Sequence, residues 1–120
     1  MAVYQTIINN DIISAAVIAS GTGSSVNFPT SVEATADGPL LCCDNTDIIA
    51  TIAPKPMYVS FGQKEQGLLG WEAQTGYTGS FLNDVYALHD AKNNFYYHVH
   101  DSAHVYHIPT VIDFLSKHMK

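Results

Sequence analysis

Ile12 to Ser20, Pro56 to Phe61 and Phe95 to His100 are apolar runs too short for core helices and rich in Ile, Val or aromatic residues, so each reads as a buried strand. The first stops at a Ser/Gly/Thr cluster from Ser20 to Ser25, and Gly62 closes the second. Helical spacing fills much of what lies between. Phe81, Val85, Leu88 and Ala91, or alternatively Leu82, Val85 and Tyr86, recur at intervals of a helix, with Ser80 as its N-cap and an end expected near Asn93. Thr46 or Asp47 is placed to cap a short helix through Ile52. Pro109 opens a final helix in which Val111, Ile112, Phe114, Leu115 and Met119 make an apolar stripe. Val3 to Ile8 reads as the end of a preceding helix, Val26 to Asn45 as a turn-rich stretch, and Gln63 to Gly79 as a loop.

Strands that alternate with helices pair in parallel through right-handed crossovers. The expectation is therefore an α/β fold, about three parallel strands flanked by helices. The histidine-bearing strand should form one edge and the Ile12 strand the other, with residues 1–120 as a single domain. One core suits this length, since a chain of this size buries roughly two thirds of its unfolded surface.

Charge narrows the function classes. Only 13% of residues are charged, the net charge is −6, and the basic residues are the scattered lysines Lys55, Lys64, Lys92, Lys117 and Lys120. A phosphate backbone or an anionic membrane surface demands a clustered basic face, so neither is an expected partner. The longest apolar stretch, Ile12 to Ala19, is broken by Ser14 and falls far short of the ~20 residues a bilayer requires. Cys42 and Cys43 are adjacent and bridge poorly, which leaves the fold without a disulfide framework and suits a reducing cytoplasm. With no neighbouring cation to activate them, the two cysteines read as small apolar packing residues.

In an open parallel sheet, ligands collect beyond the carboxyl ends of the strands. Glu65 lies four residues past Phe61 and His104 four residues past His100, so both can project over one rim. A histidine base presents one ring nitrogen to a nucleophile while the other donates to a carboxylate that fixes its tautomer. Glu72 and Asp101 are rivals for that carboxylate.

The stretch Ala53-Pro54-Lys55-Pro56-Met57-Tyr58-Val59-Ser60-Phe61-Gly62-Gln63-Lys64-Glu65 resembles the segment of dienelactone-hydrolase-like and acetyl-xylan-esterase-like α/β-hydrolases that leads through an Ala-Pro-Arg-Pro opening into the penultimate strand. That strand ends at Gly, and the catalytic carboxylate follows three residues later. Phe95 to His107, centred on Asp101-Ser102-Ala103-His104, is similar to the last strand and the histidine loop, and Phe114-Leu115 to the closing helix. Asp11 to Ser20 resembles the strand before these. The likeness covers nearly the whole chain, most weakly between Val26 and Cys43. It implies the last third to half of a domain of ~200–250 residues. It further implies Glu65 as the acid and His104 as the base of a serine-esterase triad.

The nucleophile elbow Gly-x-Ser-x-Gly does not occur; Gly21-Thr22-Gly23-Ser24-Ser25 has neither its spacing nor a dinucleotide fingerprint. The resemblance thus implies a carboxylic ester hydrolase half, inactive alone, with a small ester as substrate and no cofactor. A serine would come from a separate chain, and the open edge strand also favours a homo-oligomer. Two other readings remain: a truncated, non-catalytic interaction domain on the same scaffold, and a small metal-binding protein built on His98, His100, His104 and His107. For the histidines, the simpler assignment is amphipathic strand residues at His98 and His100 and a residue opening the last helix at His107. Trp71 reads as a hydrophobic anchor for the long loop, and Tyr96, Tyr97 and Tyr106 as core or rim aromatics.

Overall fold

In a computed structural model, the described residues are 6–9, 11–21 and 44–119. The turn-rich stretch up to residue 43, the two cysteines and Thr22 to Ser25 lie outside them. A helical turn covers residues 6–8. The elements that follow are β1 (Ala16–Ala19), α1 (Asn45–Ala50), β2 (Met57–Gly62), α2 (Gly67–Thr75), α3 (Tyr77–Leu88), a 3₁₀ turn (Lys92–Asn94), β3 (Phe95–His100) and α4 (Ile108–His118).

The three strands form one parallel sheet in the order β1, β2, β3, with Ala16 opposite Met57 and Met57 opposite Phe95. The α/β class, the three parallel strands and their order agree with the sequence reading. Paired residues of a parallel sheet point to the same face, which divides the side chains into two layers. On one face Ile18, Met57, Val59, Phe61 and Phe95 meet Ile49 of α1, Ile52 just beyond it, and Leu82 and Tyr86 of α3. On the other, Tyr58 and Tyr96 pack edgewise or tilted against Phe114 of α4. Every residue of the central strand β2 is consequently buried, including Tyr58 and Ser60, where the alternating pattern alone would leave one face wet.

β1 is shorter than the Ile12 run. Ile12 and Ile13 both donate their backbone N–H groups to Asn9 O, at 3.0 Å, in a turn that removes them from the ladder. The short helix α1 is capped by Asp44, not by Thr46 or Asp47. Asp44 accepts from Asn45 N while Asp47 reaches back to Asp44 N at 2.9 Å, a reciprocal capping box.

The largest correction concerns 63–79, expected as a loop. All but its first residues are helical: α2 runs from Gly67 to Thr75, and Gly76, with φ of +62°, ends it and at once begins α3. Gly70 is a point of close approach, where a Cβ would stand 2.3 Å from Glu65 O. Ser80 is therefore inside α3 and caps nothing. At the start of α3, Tyr77 N donates to Thr75 Oγ1 at 3.3 Å, and the Glu72 carboxylate accepts from Thr78 N at 3.2 Å and Thr78 Oγ1 at 2.8 Å. Of the two stripes considered for α3, Leu82 and Tyr86 face the core, whereas Leu88 is 87% exposed. The helix stops at Leu88 because the chain reverses through Asp90 in the left-handed region, φ +54°. In α4, Phe114 is buried but Ile112 is exposed, as is Met119 just beyond the helix, so the buried stripe is narrower than the apolar residues suggest.

Gly79 presses on the ring of Tyr97, where an added Cβ would come within 2.6 Å of the ring carbon Cγ. Gly79→Ala should cost about 1–3 kcal/mol by overpacking, despite the better helix propensity of alanine. Urea unfolding of the two proteins measures it, and an unchanged or raised midpoint would contradict this packing.

Candidate active site

The carboxyl ends of β2 and β3 are joined by their own backbones. Gln63 N donates to His100 O at 2.8 Å and Lys64 N to Ser102 O at 3.1 Å, so the loop after each strand is tied to the other. Gly62 makes this approach possible: a Cβ there would lie 2.3 Å from both Ser102 O and Ala103 O. The loop that carries His104 crosses directly over the end of the strand that precedes Glu65.

From this turn Glu65 folds back beneath the rim. Its side chain is 1% exposed, while that of His104 is 71% exposed. Oε1 accepts from Gly62 N at 2.7 Å and from the hydroxyl of Ser20 at the end of β1. Oε2 stands 3.2 Å from His104 Nδ1. An ionised carboxylate can only accept, so Nδ1 carries the proton and donates. His104 Nε2 has no partner among the described residues and belongs to a ring that is largely open to solvent.

Burial by itself pushes the Glu65 carboxyl up. The Ser20 hydroxyl, the Gly62 N–H and His104 outweigh it, and the group ends below its ordinary value. The site thus holds a charged, oriented acceptor under an exposed imidazole, an arrangement that can stabilise positive charge on the ring.

The structure brings Glu65 and His104 together and leaves the rival acids elsewhere. Glu72 is fully buried at the junction of α2 and α3, bound to Thr78. Asp101 is exposed and, among the described residues, accepts only from the Ser102 hydroxyl at 3.4 Å. Ser20 is the residue that sequence reasoning missed. The available signal was its place, first after β1 and beside β2, where the Ser20 N–H donates to Ser60 O at 2.8 Å.

His98, His100 and His107 form a separate cluster on the α4 side of the sheet. His98 and His107 rings meet edgewise at 5.0 Å, and His100 and His107 stack at 5.9 Å. His98 Nδ1 bonds the Tyr58 hydroxyl at 2.8 Å, and Thr110 Oγ1 lies between His98 and His107. Burial pushes the His98 imidazole down, helped by His107 and His100. His104 makes no ring contact with this group and turns to Glu65 instead. Among the described residues, no three His, Cys, Asp or Glu side chains converge as a metal site would require. Trp71 packs on Tyr77, 6.0 Å between ring centres, anchoring the start of α3 to α2. No helix among the described residues is long and apolar enough to cross a membrane.

The three-stranded parallel sheet with helices on both faces is a partial, hydrolase-like α/β fold. The solved structure of the methylesterase BT1017 shares that fold, with a TM-score of 0.51 and 23% identity over 62% of this chain. The match spans 17% of the methylesterase's own, much longer chain. No family model matches the sequence. No curated protein matches it either.

Removing the Glu65 side chain strands two buried donors, Gly62 N–H and the Ser20 hydroxyl. Glu65→Ala should therefore lose on the order of 1–3 kcal/mol at neutral pH. Because the folded carboxyl titrates below its ordinary 4.5, the stability it contributes is present above that value. It is lost as the pH falls through the lower folded value. Glu65→Gln should lack this acid-side component, and unfolding midpoints compared from neutral to acid pH check both statements.

Proposed function

We propose that this chain is the acid-and-histidine half of a serine-type carboxylic ester hydrolase. The contact between Glu65 Oε2 and His104 Nδ1, with the opposite ring nitrogen left open, is the observation that carries the reading. The hydrolase-like fold shared with a methylesterase supports it. In this role His104 Nε2 takes the proton of a serine hydroxyl as its oxygen attacks the ester carbonyl, and the carbonyl π electrons move onto oxygen. Glu65 stabilises the imidazolium so formed. Collapse of the tetrahedral species breaks the bond to the alcohol, which leaves with the proton from Nε2, and water then releases the acyl group by the same sequence.

No serine hydroxyl reaches His104 among the described residues, and the sequence lacks a nucleophile elbow. The nucleophile on this reading comes from a different polypeptide segment that supplies the serine, because a second copy of this sequence would lack the elbow as well. β1 has no second neighbour among the described residues, and an unpaired edge is the natural place for a partner strand to join. The partner is proposed on chemistry alone: a strand ending in an exposed serine, flanked by small residues. The small ester substrate and a cytoplasmic setting belong to the same proposal.

Alone, the chain should hydrolyse a short-chain aryl ester no faster than buffer. Mixed with a polypeptide that supplies the serine strand, it should gain activity that His104→Ala removes, with a loss of at least ~10²-fold, typical of general-base catalysis. A robust rate for the isolated chain, abolished by His104→Ala, would require a local nucleophile and overturn the two-part reading. Unchanged partner binding with no activity in any mixture, for wild type and for the Glu65→Ala, His104→Ala double variant alike, would favour a non-catalytic interaction domain.

A further inference from the structure

We infer that Ser20 is a positioning residue for this site: its hydroxyl holds one oxygen of the Glu65 carboxylate so that the other faces the His104 imidazole. The inference rests on the hydrolase reading above and extends it to a third residue, 45 positions from Glu65 in sequence.

A carboxylate turns easily about its last bond, whose torsional wells are broad and two-fold. One bond from Gly62 N–H constrains Oε1 but leaves that rotation only partly restricted. The Ser20 hydroxyl approaches the same oxygen from β1, so Oε1 is held by donors from two strands while Oε2 is left to His104. The donor is itself well fixed. Ser20 is 6% exposed, and its N–H is bound to Ser60 O. Its φ is +54°, a region that serine seldom occupies. A strained, buried serine that spends its proton on a buried carboxylate is unlike a surface hydroxyl that happens to find a partner. The same geometry removes Ser20 as the nucleophile: its hydroxyl serves Glu65, and no contact joins it to His104.

Two variants separate the hydroxyl from the backbone. Ser20→Ala deletes the hydroxyl and keeps a Cβ in the left-handed region. Ser20→Gly deletes it and relieves the backbone, so a folded protein is available even where alanine is poorly tolerated. The measurement uses the intact chain labelled with ¹³C at the glutamate carboxyl and ¹⁵N in the imidazole. In the wild type, at a pH where the ring is neutral, His104 should be held mainly as the Nδ1–H tautomer, and Glu65 should titrate below its ordinary value. In both variants the Nδ1–H fraction should fall and the Glu65 midpoint should move up. General loosening of the fold would be read instead in the unfolding midpoint, which should fall less for glycine than for alanine. A wild-type spectrum without the Nδ1–H preference would overturn the histidine–carboxylate pair and the hydrolase reading with it. A wild-type preference that both Ser20 variants preserve, together with an unmoved Glu65 midpoint, would overturn only the role of Ser20.

Discussion

One buried carboxylate gathers the carboxyl ends of all three strands. Glu65 accepts from Ser20 after β1 and from Gly62 at the end of β2, and faces His104 after β3. A charge with so little access to water is costly unless its lone pairs are filled, and here donors from three separate parts of the chain fill them. Each donor is in place only because the sheet is parallel, which puts all three carboxyl ends on one rim. Antiparallel pairing of either outer strand would send its loop to the opposite rim and leave the carboxylate short of a partner.

That arrangement depends on two close approaches that side chains would forbid. Gly62 lets the backbone of residues 102 and 103 pass over the end of β2, and Gly70 lets α2 settle against the carbonyl of Glu65. Both glycines sit where the site is assembled, and neither has a φ in the left-handed region. Their value here is absence of bulk, not conformational freedom. Glycines also mask α2 in the sequence. Four glycines between residues 67 and 79 look like punctuation to any local reading, and only the tertiary contacts show that two of them, Gly70 and Gly79, are packing positions.

Legibility in the sequence follows how local each feature is. β3 spans the residues expected, Phe95 to His100, because a run of aromatic and β-branched residues between turn signals is a local property. The meeting of Glu65 with His104 was legible in principle, since each stands a few residues beyond a strand whose direction alternation with helices already implied. Ser20 was not, because its partner is set by register: Ala19 pairs with Ser60, and a shift of one residue would turn the hydroxyl away. The extra length assigned to the first strand, the cap assigned to Ser80 and the broad stripe assigned to α4 failed for a shared reason. Each counted apolar or polar residues by type, whereas the outcome was decided by the hydrogen-bonded turn at Asn9, by the Glu72 carboxylate bound to Thr78, and by the burial of Phe114 alone in α4.

The site is finished on one side and open on the other, and that asymmetry bears on the proposed two-part hydrolase. Three strands suffice to fix the acid and the inner nitrogen of the imidazole, because every donor to Glu65 comes from them. Nothing among them approaches the outer nitrogen. A strand added to the free edge of β1 would end about 4.8 Å beyond Ser20, roughly two strand spacings from the end of β2. A serine at that end, on a turn rising above the rim, would be within loop reach of the exposed ring. In the proposed two-part hydrolase, one strand added beside β1, unpaired on that side among the described residues, would also bring a group to the open ring of His104.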